Sequence, residues 1–446
     1  MAAQPALMSH PCPTLDAVSP DVVTGRQPVT TPGEPILPAN RLPAWMERPF
    51  LGGALILTCL LMMAITAIEF TRRGGGGMVI TLNDYDAFVI AGRLFWEGHL
   101  AQAYDAEAMM AAQQRMAGSL KFTPWTYPPH FNLVVIPLAL LPLATGYLAW
   151  IGATLAGFVL ALRRLAGPHL VLCLLALFPA IFVCVRNGQN GLFTGALLAL
   201  FCHWQLKGRA IAGLPLALLT VKPHLLPAVG LYLLLTRQWR VIAVAAIATL
   251  ALLAGATALF GVGIWGAFVA AVGDAGDFLG RGAYPLYRMV SLYAALFRLG
   301  APPAIALACQ IGFGLACLAG VALAWRAGLP QRQLLAVALM ASPMLWPYAY
   351  DYDLTLLAVA LALLAPDIAA AARPLLAHLL VLAGWIAGGS GLVLNALYRR
   401  GAPDPAQAAE LAHAAPSLGI FGVMAFCALA LWLARQRDHR GAPGRA

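Results

Sequence analysis

Two carboxylates stand at the head of a polar segment in a strongly apolar chain. The segment runs from Thr81 to Asp105, and Asp84 and Asp86 lie two positions apart near its start. A carboxylate can remove the proton of a reacting hydroxyl as a general base. It can also cap a helix by accepting a backbone N–H of the first turn. We predict that Asp84 is a catalytic base and that Asp86 positions the substrate, with helix capping as the alternative for both.

Two further polar segments interrupt apolar runs later in the chain. Arg186, Asn187 and Gln189 link two of these runs, where the Asn-Gly pair alone would indicate a tight turn. Lys222 precedes Pro223 inside an apolar stretch, where a lysine is costly unless it is functional or reaches the head groups. We expect Arg186, Gln189 and Lys222 to bind a phosphate and Asn187 to position the substrate.

Aromatic residues and acids meet near residue 350. Trp346, Tyr348, Asp351 and Asp353 fall within eight positions. An interfacial belt explains the rings but not the two carboxylates, so these four residues are candidates for positioning a sugar. Tyr127 and His130 are weaker candidates for the same role, because the prolines between them also fit a simple helix start.

The segment Gly261–Val290 is long enough to form a lid over a site. It carries Arg281 and Arg288, which could both meet a phosphate. Solvated loop charges are the alternative interpretation.

The composition sets the class of protein. Of the 446 residues, 61% are hydrophobic and 10% are charged, whereas soluble domains carry about 25% charged residues. Apolar runs of about 20 residues predict an all-α, polytopic transmembrane bundle of about twelve spans. The basic residues are scattered at helix ends, which argues against nucleic acid as a partner. The eight cysteines form no CxxC pair, so neither a disulfide framework nor a metal site is expected.

The sequence predicts one membrane domain with two tails. Residues 1–47 should be a disordered cytoplasmic tail, residues 48–435 the membrane domain and residues 436–446 a basic tail. In the first loop, residues 87–95 and 106–116 should form two short helices along the membrane surface. The candidate spans are residues 50–70, 126–142, 146–162, 169–185, 191–206, 211–221, 225–235, 241–260, 303–325, 334–345, 354–364, 375–397 and 418–433.

Basic residues at the ends of the spans give an orientation, because they favour the cytoplasmic side. All the candidate site residues then fall on the opposite face if the N-terminus is cytoplasmic. One conflict remains, because two apolar runs separate Asp84 from the pair Arg163 and Arg164. An odd number of crossings is needed there, so either one run does not cross or the arginine pair breaks the rule.

A base, cations, amides and aromatic rings on one membrane face suit transfer of a group from an anionic, lipid-linked donor. We expect no metal and no cofactor. Two other classes fit a membrane protein with buried charges. One is a transporter or flippase for a polar lipid, which should show internal symmetry. The other is a non-catalytic partner in envelope assembly.

The order of several short motifs resembles glycosyltransferase family 87, whose members are membrane enzymes of the GT-C class. The family is related to mycobacterial phosphatidylinositol mannoside mannosyltransferases. The resemblance covers about residues 50 to 435. Its motifs are Asp84-Tyr85-x-x-Phe88, Gly98, Tyr127-Pro128-Pro129, Asn187-Gly188-Gln189-Asn190, Lys222-Pro223, Ser342-Pro343 and Tyr352-Asp353-Leu354.

The resemblance implies a polyprenyl-phosphate-linked sugar donor, often mannose, and an inverting transfer to a lipid or glycan acceptor. It also implies a multi-pass protein of the bacterial inner membrane, with its active site on the periplasmic side. The proposed catalytic aspartate of the family falls on Asp84. Some relatives carry a histidine shortly after the late tryptophan, where this chain has Trp346-Pro347-Tyr348.

Overall fold

The computed structural model describes residues 42–72, 83–117, 123–400 and 413–440, together with Gln407 and Leu411. Within these ranges the regular secondary structure is helical, and extended pairing is limited to one isolated bridge between Met289 and Tyr350. The predicted all-α class is therefore confirmed. Residues 1–41 and 441–446 of the two predicted tails lie outside the described residues.

The helices follow one another with short connections. In chain order they are α1 Pro49–Arg72, α2 Asp84–Trp96, α3 Ala106–Ala117, α4 Asn132–Leu138, α5 Leu143–Ala166, α6 Leu170–Ala176, α7 Phe178–Asn187, α8 Gly191–Leu206, α9 Gly213–Leu219, α10 Pro227–Leu235, α11 Trp239–Phe260, α12 Gly263–Gly280, α13 Leu292–Arg298, α14 Pro303–Arg326, α15 Gln331–Ala341, α16 Thr355–Ala371, α17 Pro374–Tyr398 and α18 Gly419–Arg440. Short 3-10 turns precede or follow several of them.

Seven helical stretches of the described chain are long and apolar enough to cross a membrane. The polytopic prediction is thus confirmed, but several predicted spans are short helices. The predicted spans 211–221 and 225–235 correspond to α9 and α10, which have seven and nine residues. At 1.5 Å per residue these helices are only about 10 and 14 Å long. Lys222 lies at the break between them.

The helix lengths also decide the conflict over crossings. The apolar run at residues 126–142 contains only α4, which has seven residues and includes Pro137. A helix of this length, about 10 Å, cannot cross a hydrocarbon core of about 30 Å. The following helix, α5, has 24 residues and ends at the arginine pair. One candidate span, α5, therefore lies between Asp84 and the pair Arg163 and Arg164, which is the odd number that the charge rule requires.

The core is built around α16. Of its most apolar window, 83% is buried inside the protein, a larger share than for the other candidate spans. The neighbouring α17 approaches α6 and α7 closely, because Gly384 and Gly388 leave no room there for a larger side chain. A Cβ at Gly384 would lie 2.2 Å from the carbonyl oxygen of Ala176. Small residues four positions apart commonly allow such contact between membrane helices.

Three expectations about loops and tails need correction. The first-loop helices exist as α2 and α3, but nine of the thirteen residues of α2 are buried, so α2 belongs to the core. The segment expected as a lid loop, Gly261–Val290, is mostly the 18-residue helix α12. At the end of the predicted N-terminal tail, Met46 is buried and Glu47 lies 2.9 Å from His169, so residues 42–47 pack on the membrane domain.

Candidate active site

Asp84 is free of helix capping because two neighbours perform that task. The side chain of Asn83, the N-cap residue of α2, accepts from the backbone N–H of Tyr85, and Asp86 accepts from the backbone N–H of Asn83 at 2.7 Å. This reciprocal pair is a capping box. Asn83 also donates to the backbone carbonyl of Arg186 at 2.8 Å, which fixes the start of α2 against the end of α7.

Aromatic packing sets the direction of α2. Phe88, one turn after Asp84, makes edge-on contacts with Trp125, Tyr127 and Phe131 at centroid distances of 5.4 to 5.8 Å. Such edge-on pairs stabilise more than their buried area alone. They join α2 to the segment before α4 and place Tyr127 beside Asp84.

A cavity of about 470 Å³ lies above these elements. Eight of the predicted site residues line it, and they come from six separate stretches of the chain. They are Asp84, Tyr127, Gln189, Lys222, Arg288, Trp346, Tyr348 and Asp353. The volume falls within the range of about 300–1,000 Å³ that is typical of small-molecule sites.

Two cations on the wall of the cavity are paired with carboxylates. Lys222 donates to Asp353 at 2.5 Å, and both side chains are at least 95% buried. Arg288 donates two hydrogen bonds of 3.1 Å to the carboxylate of Asp351, and its Nη1 lies 3.5 Å from an oxygen of Asp84. A buried charge is costly unless an opposite charge lies beside it. Each of these two cations has a carboxylate partner.

A tyrosine pair separates the two cations. The rings of Tyr350 and Tyr352 are stacked, with centroids 5.2 Å apart and planes 7° from parallel. The ammonium of Lys222 lies 4.7 Å from the ring centre of Tyr352, and the guanidinium of Arg288 lies 5.5 Å from the same ring. Cations at such distances are attracted by an aromatic face. The aromatic density of this stretch is visible in the sequence, but these two tyrosines are not among the predicted site residues.

His224 is a further lining residue that the site prediction omitted. Its Nε2 is buried and has no hydrogen-bond partner among the described residues. Burial, together with the cation of Lys222, lowers the pKa of His224 to about 4, against the opposing effect of Asp353. The imidazole is therefore neutral at neutral pH and can offer or accept one hydrogen bond at the cavity wall.

Arg288 and Tyr127 also differ from their ordinary acid–base behaviour. Burial lowers the pKa of Arg288, but the carboxylates of Asp351 and Asp84 raise it, and the net result is a pKa well above the usual range. The guanidinium is thus permanently charged. Burial, with the nearby carboxylates of Asp353 and Asp84, raises the pKa of Tyr127, so its hydroxyl stays protonated, and it donates to Gln189 at 3.4 Å.

The sequence profile of glycosyltransferase family 87 matches residues 125–347, half of the chain. This chain belongs to glycosyltransferase family 87. No curated protein and no solved structure gives a match. The matched segment of this glycosyltransferase contains Tyr127, Gln189, Lys222 and Arg288. Asp84 lies before it and Asp353 after it, and the fold joins them to the same cavity.

Six predicted site residues of the glycosyltransferase do not line the cavity. Arg186 pairs with Glu69 of α1 at 3.0 Å, and Arg281 is exposed and donates to the carbonyl of Asp277. His130 is buried against Thr220, with 3.1 Å between Nε2 and Oγ1. The remaining three are Asp86 in the capping box, Asn187 at the end of α7 and Asp351 behind Arg288.

The prediction that Arg186 and Arg281 bind the phosphate therefore needs correction. Of the four predicted cations, Lys222 and Arg288 reach the cavity, whereas Arg186 and Arg281 do not. Arg186 forms an ion pair with Glu69 of α1, and Arg281, which follows the last residue of α12, is exposed to solvent. Among the described residues, no group of three or more His, Cys, Asp or Glu side chains is arranged to hold a metal ion.

Proposed function

We propose that this glycosyltransferase moves a hexose, with mannose as the first candidate, from a polyprenyl-phosphate donor to a lipid or glycan acceptor. One observation carries the proposal. Asp84 and the two cations Lys222 and Arg288 line the same cavity. A base and phosphate-side cations within reach of one bound sugar are what such a transfer requires.

In the proposed reaction the acceptor hydroxyl attacks the anomeric carbon from the face opposite the phosphate. Its proton passes to the carboxylate of Asp84 as the new C–O bond forms. The bond between the anomeric carbon and the phosphate oxygen breaks, and the electron pair leaves with the polyprenyl phosphate. Lys222 and Arg288 stabilise the charge that grows on that phosphate. The configuration of the sugar is inverted.

The apolar side of the cavity supports a donor with a hydrocarbon chain. Phe268, Val269, Val272 and Ala275 of α12 form this wall. Val269 and Val272 are also 67% and 48% exposed. An exposed apolar wall opposite the charged groups suits a ligand with a charged head and an apolar tail.

The aromatic residues support a sugar as the transferred group. Trp346, Tyr348 and Tyr284 line the cavity, and Tyr348 is held by a 2.6 Å bond from its hydroxyl to the carbonyl of Ala275. Their rings offer apolar faces to the C–H side of a hexose. Trp346 is 44% exposed at the rim, where an acceptor would enter. We place this rim on the periplasmic side of the inner membrane, opposite the arginine-rich helix ends.

The direct test is transfer of radiolabel from polyprenyl-phosphate mannose to a membrane-lipid extract by purified protein in lipid. We expect labelled glycolipid with the wild type and a loss of at least about 100-fold with Asp84→Asn. Arg281→Gln, a change outside the cavity, should retain wild-type transfer. Equal transfer by wild type and Asp84→Asn would remove Asp84 as the base. Transfer from polyprenyl-phosphate glucose but not from the mannose donor would replace the sugar and keep the reaction.

A further inference from the structure

Arg288 is held by one carboxylate and only touched by another. Its Nε and Nη2 each donate to Asp351 at 3.1 Å, which is the two-pronged geometry of a strong arginine–carboxylate pair. Its Nη1 lies 3.5 Å from an oxygen of Asp84, at the limit of a hydrogen bond. An arginine has five N–H donors, so two of them have no partner among the described residues.

The support behind Arg288 is rigid. Asp351 is 1% exposed and also accepts from the backbone N–H of Tyr352 at 2.9 Å. The segments that carry Arg288 and Asp351 are joined by a hydrogen bond, because the backbone N–H of Val290 donates to the carbonyl of Ala349 at 2.8 Å. Gly391 of α17 closes the back, where a Cβ would lie 3.2 Å from the Cα of Arg288 and 3.4 Å from an oxygen of Asp351.

Asp84 has no comparable support. Among the described residues Arg288 is the hydrogen-bond partner of its carboxylate, and its second oxygen has none. The side chain is 13% exposed toward the cavity. Asp84 therefore owes its electrostatic stabilisation to the end of an arginine whose other end is fixed.

We propose that Asp84 and the phosphate of the donor compete for the Nη1 end of Arg288, while Asp351 acts as the positioning residue that keeps the guanidinium between them. This inference rests on the proposed function and specifies how its base is controlled. Without donor, the arginine holds the Asp84 carboxylate in an ion pair. An arriving phosphate takes over the guanidinium, and the Asp84 carboxylate is released from its ion pair to meet the acceptor hydroxyl.

Competition implies a reciprocal effect on binding. If the donor phosphate weakens the hold of Arg288 on Asp84, the charge of Asp84 must weaken donor binding by the same factor. Other charged or titratable groups also act on Asp84. They are Asp351, Tyr127, Tyr287, Tyr350 and Tyr352. The experiment must therefore isolate the part of the effect that passes through Arg288.

A double-mutant cycle provides that isolation. The probe is the methyl diester of undecaprenyl phosphate, which has one negative charge and no sugar, so the result does not depend on which hexose is transferred. We expect Asp84→Asn to bind this probe about fivefold or more tightly than wild type. In a background with Arg288→Gln and Asp351→Asn together, which removes the arginine without leaving the buried charge of Asp351 unpaired, Asp84→Asn should tighten binding clearly less.

Asp351 has its own test, by rescue. Asp351→Asn frees Arg288 to turn fully toward Asp84, so probe binding should weaken by about fivefold or more. Adding Asp84→Asn should restore it, which general structural damage from the first change would not allow. Arg281 lies between α12 and α13, as Arg288 does, but outside the cavity. Arg281→Gln should therefore bind the probe as wild type does.

The outcomes separate the inference from the function beneath it. Unchanged or weaker binding by Asp84→Asn, or equal tightening with and without Arg288, overturns the competition while wild-type binding upholds the donor class. A failure of Asp84→Asn to rescue Asp351→Asn removes Asp351 as the positioning residue. No binding by wild type overturns the polyprenyl-phosphate donor and the inference with it.

Discussion

At the scale of single residues, the site distinguishes two aspartates that are chemically identical. Asp86 points back to the backbone of Asn83 and completes the capping box, whereas Asp84 faces the cavity and Arg288. The difference arises from their positions in the first turn of α2, because the third residue of a helix is the one that can reach back to the cap.

Substitutions at these two positions should therefore fail in different ways. Asp84→Asn should lower the rate of transfer by roughly 10²–10⁴-fold and leave the free energy of unfolding nearly unchanged. Asp86→Ala should cost about 1 kcal/mol of stability through loss of the cap and lower the rate much less. Turnover and the thermal midpoint, measured on the same two preparations, decide the question. The opposite ranking of rates would assign the base to Asp86.

His224 predicts a dependence of stability on pH. Its pKa is about 4 in the folded protein, and about 6.5 is usual in an unfolded chain. Between these values the unfolded state binds a proton that the folded state does not, so stability falls as the pH is lowered through this window. The thermal midpoint of wild type should drop between pH 7 and pH 5, and His224→Gln should drop less. Equal drops in both proteins would contradict the buried, neutral histidine.

At the scale of elements, the turn between α7 and α8 acts as a support for Asp84. Gly188 ends α7 in a left-handed conformation with φ of 67°, which glycine adopts readily in an Asn-Gly turn. A Cβ at this position would lie 2.4 Å from the Cβ of Tyr85. The turn therefore contacts the residue that follows the proposed base, and glycine is required there for two reasons.

Gly188→Ala should consequently reduce catalysis as well as stability. The left-handed backbone costs about 1–2 kcal/mol, and the contact with Tyr85 would displace the first turn of α2. A shift of about 1 Å near a reacting group can cost up to about 100-fold in rate. Gly208→Ala is the matched control, because Gly208 has φ of 64° but open space around it. It should lose stability alone, and equal loss of rate in both variants would argue against this support.

Much of the site could be predicted from residue types, but the pairings could not. A lysine in an apolar run and two acids beside aromatic rings are costly in a membrane, so Lys222, Asp353 and Asp351 could be identified without coordinates. That Lys222 pairs with Asp353, 131 positions away, depends on the packing of α16 against α8. Local sequence does not specify that packing.

The errors have a common physical cause. Arg186 and Arg281 were placed in the site because they are cations on the expected face, yet one is neutralised by Glu69 and the other faces solvent. Charge alone does not reveal which direction a side chain takes from its helix. No span was predicted within Gly261–Val290, whose charges favoured a loop, yet α12 forms there. Tertiary context overrode those weak local preferences.

At the scale of the whole molecule, the orientation in the membrane can be tested by labelling. Ala283 is exposed next to the cavity, and Lys207 is exposed at the end of α8. In intact cells a membrane-impermeant maleimide should label Ala283→Cys but label Lys207→Cys only after the membrane is permeabilised. The reverse pattern would place the cavity on the cytoplasmic side. Native Cys309, also exposed, should first be changed to Ala in both variants.

The short helices beneath Lys222 have a consequence for how the reaction avoids water. The helical turns from Ala210 to Leu219 extend about 15 Å from Arg209, half the thickness of a hydrocarbon core of about 30 Å. The phosphate of a donor paired with Lys222 would then sit at that depth, with its sugar drawn below the head groups. Bulk solvent would reach the anomeric carbon through the rim of the cavity alone. A breaking bond held at this depth would meet little water, so transfer to the acceptor would be favoured over hydrolysis.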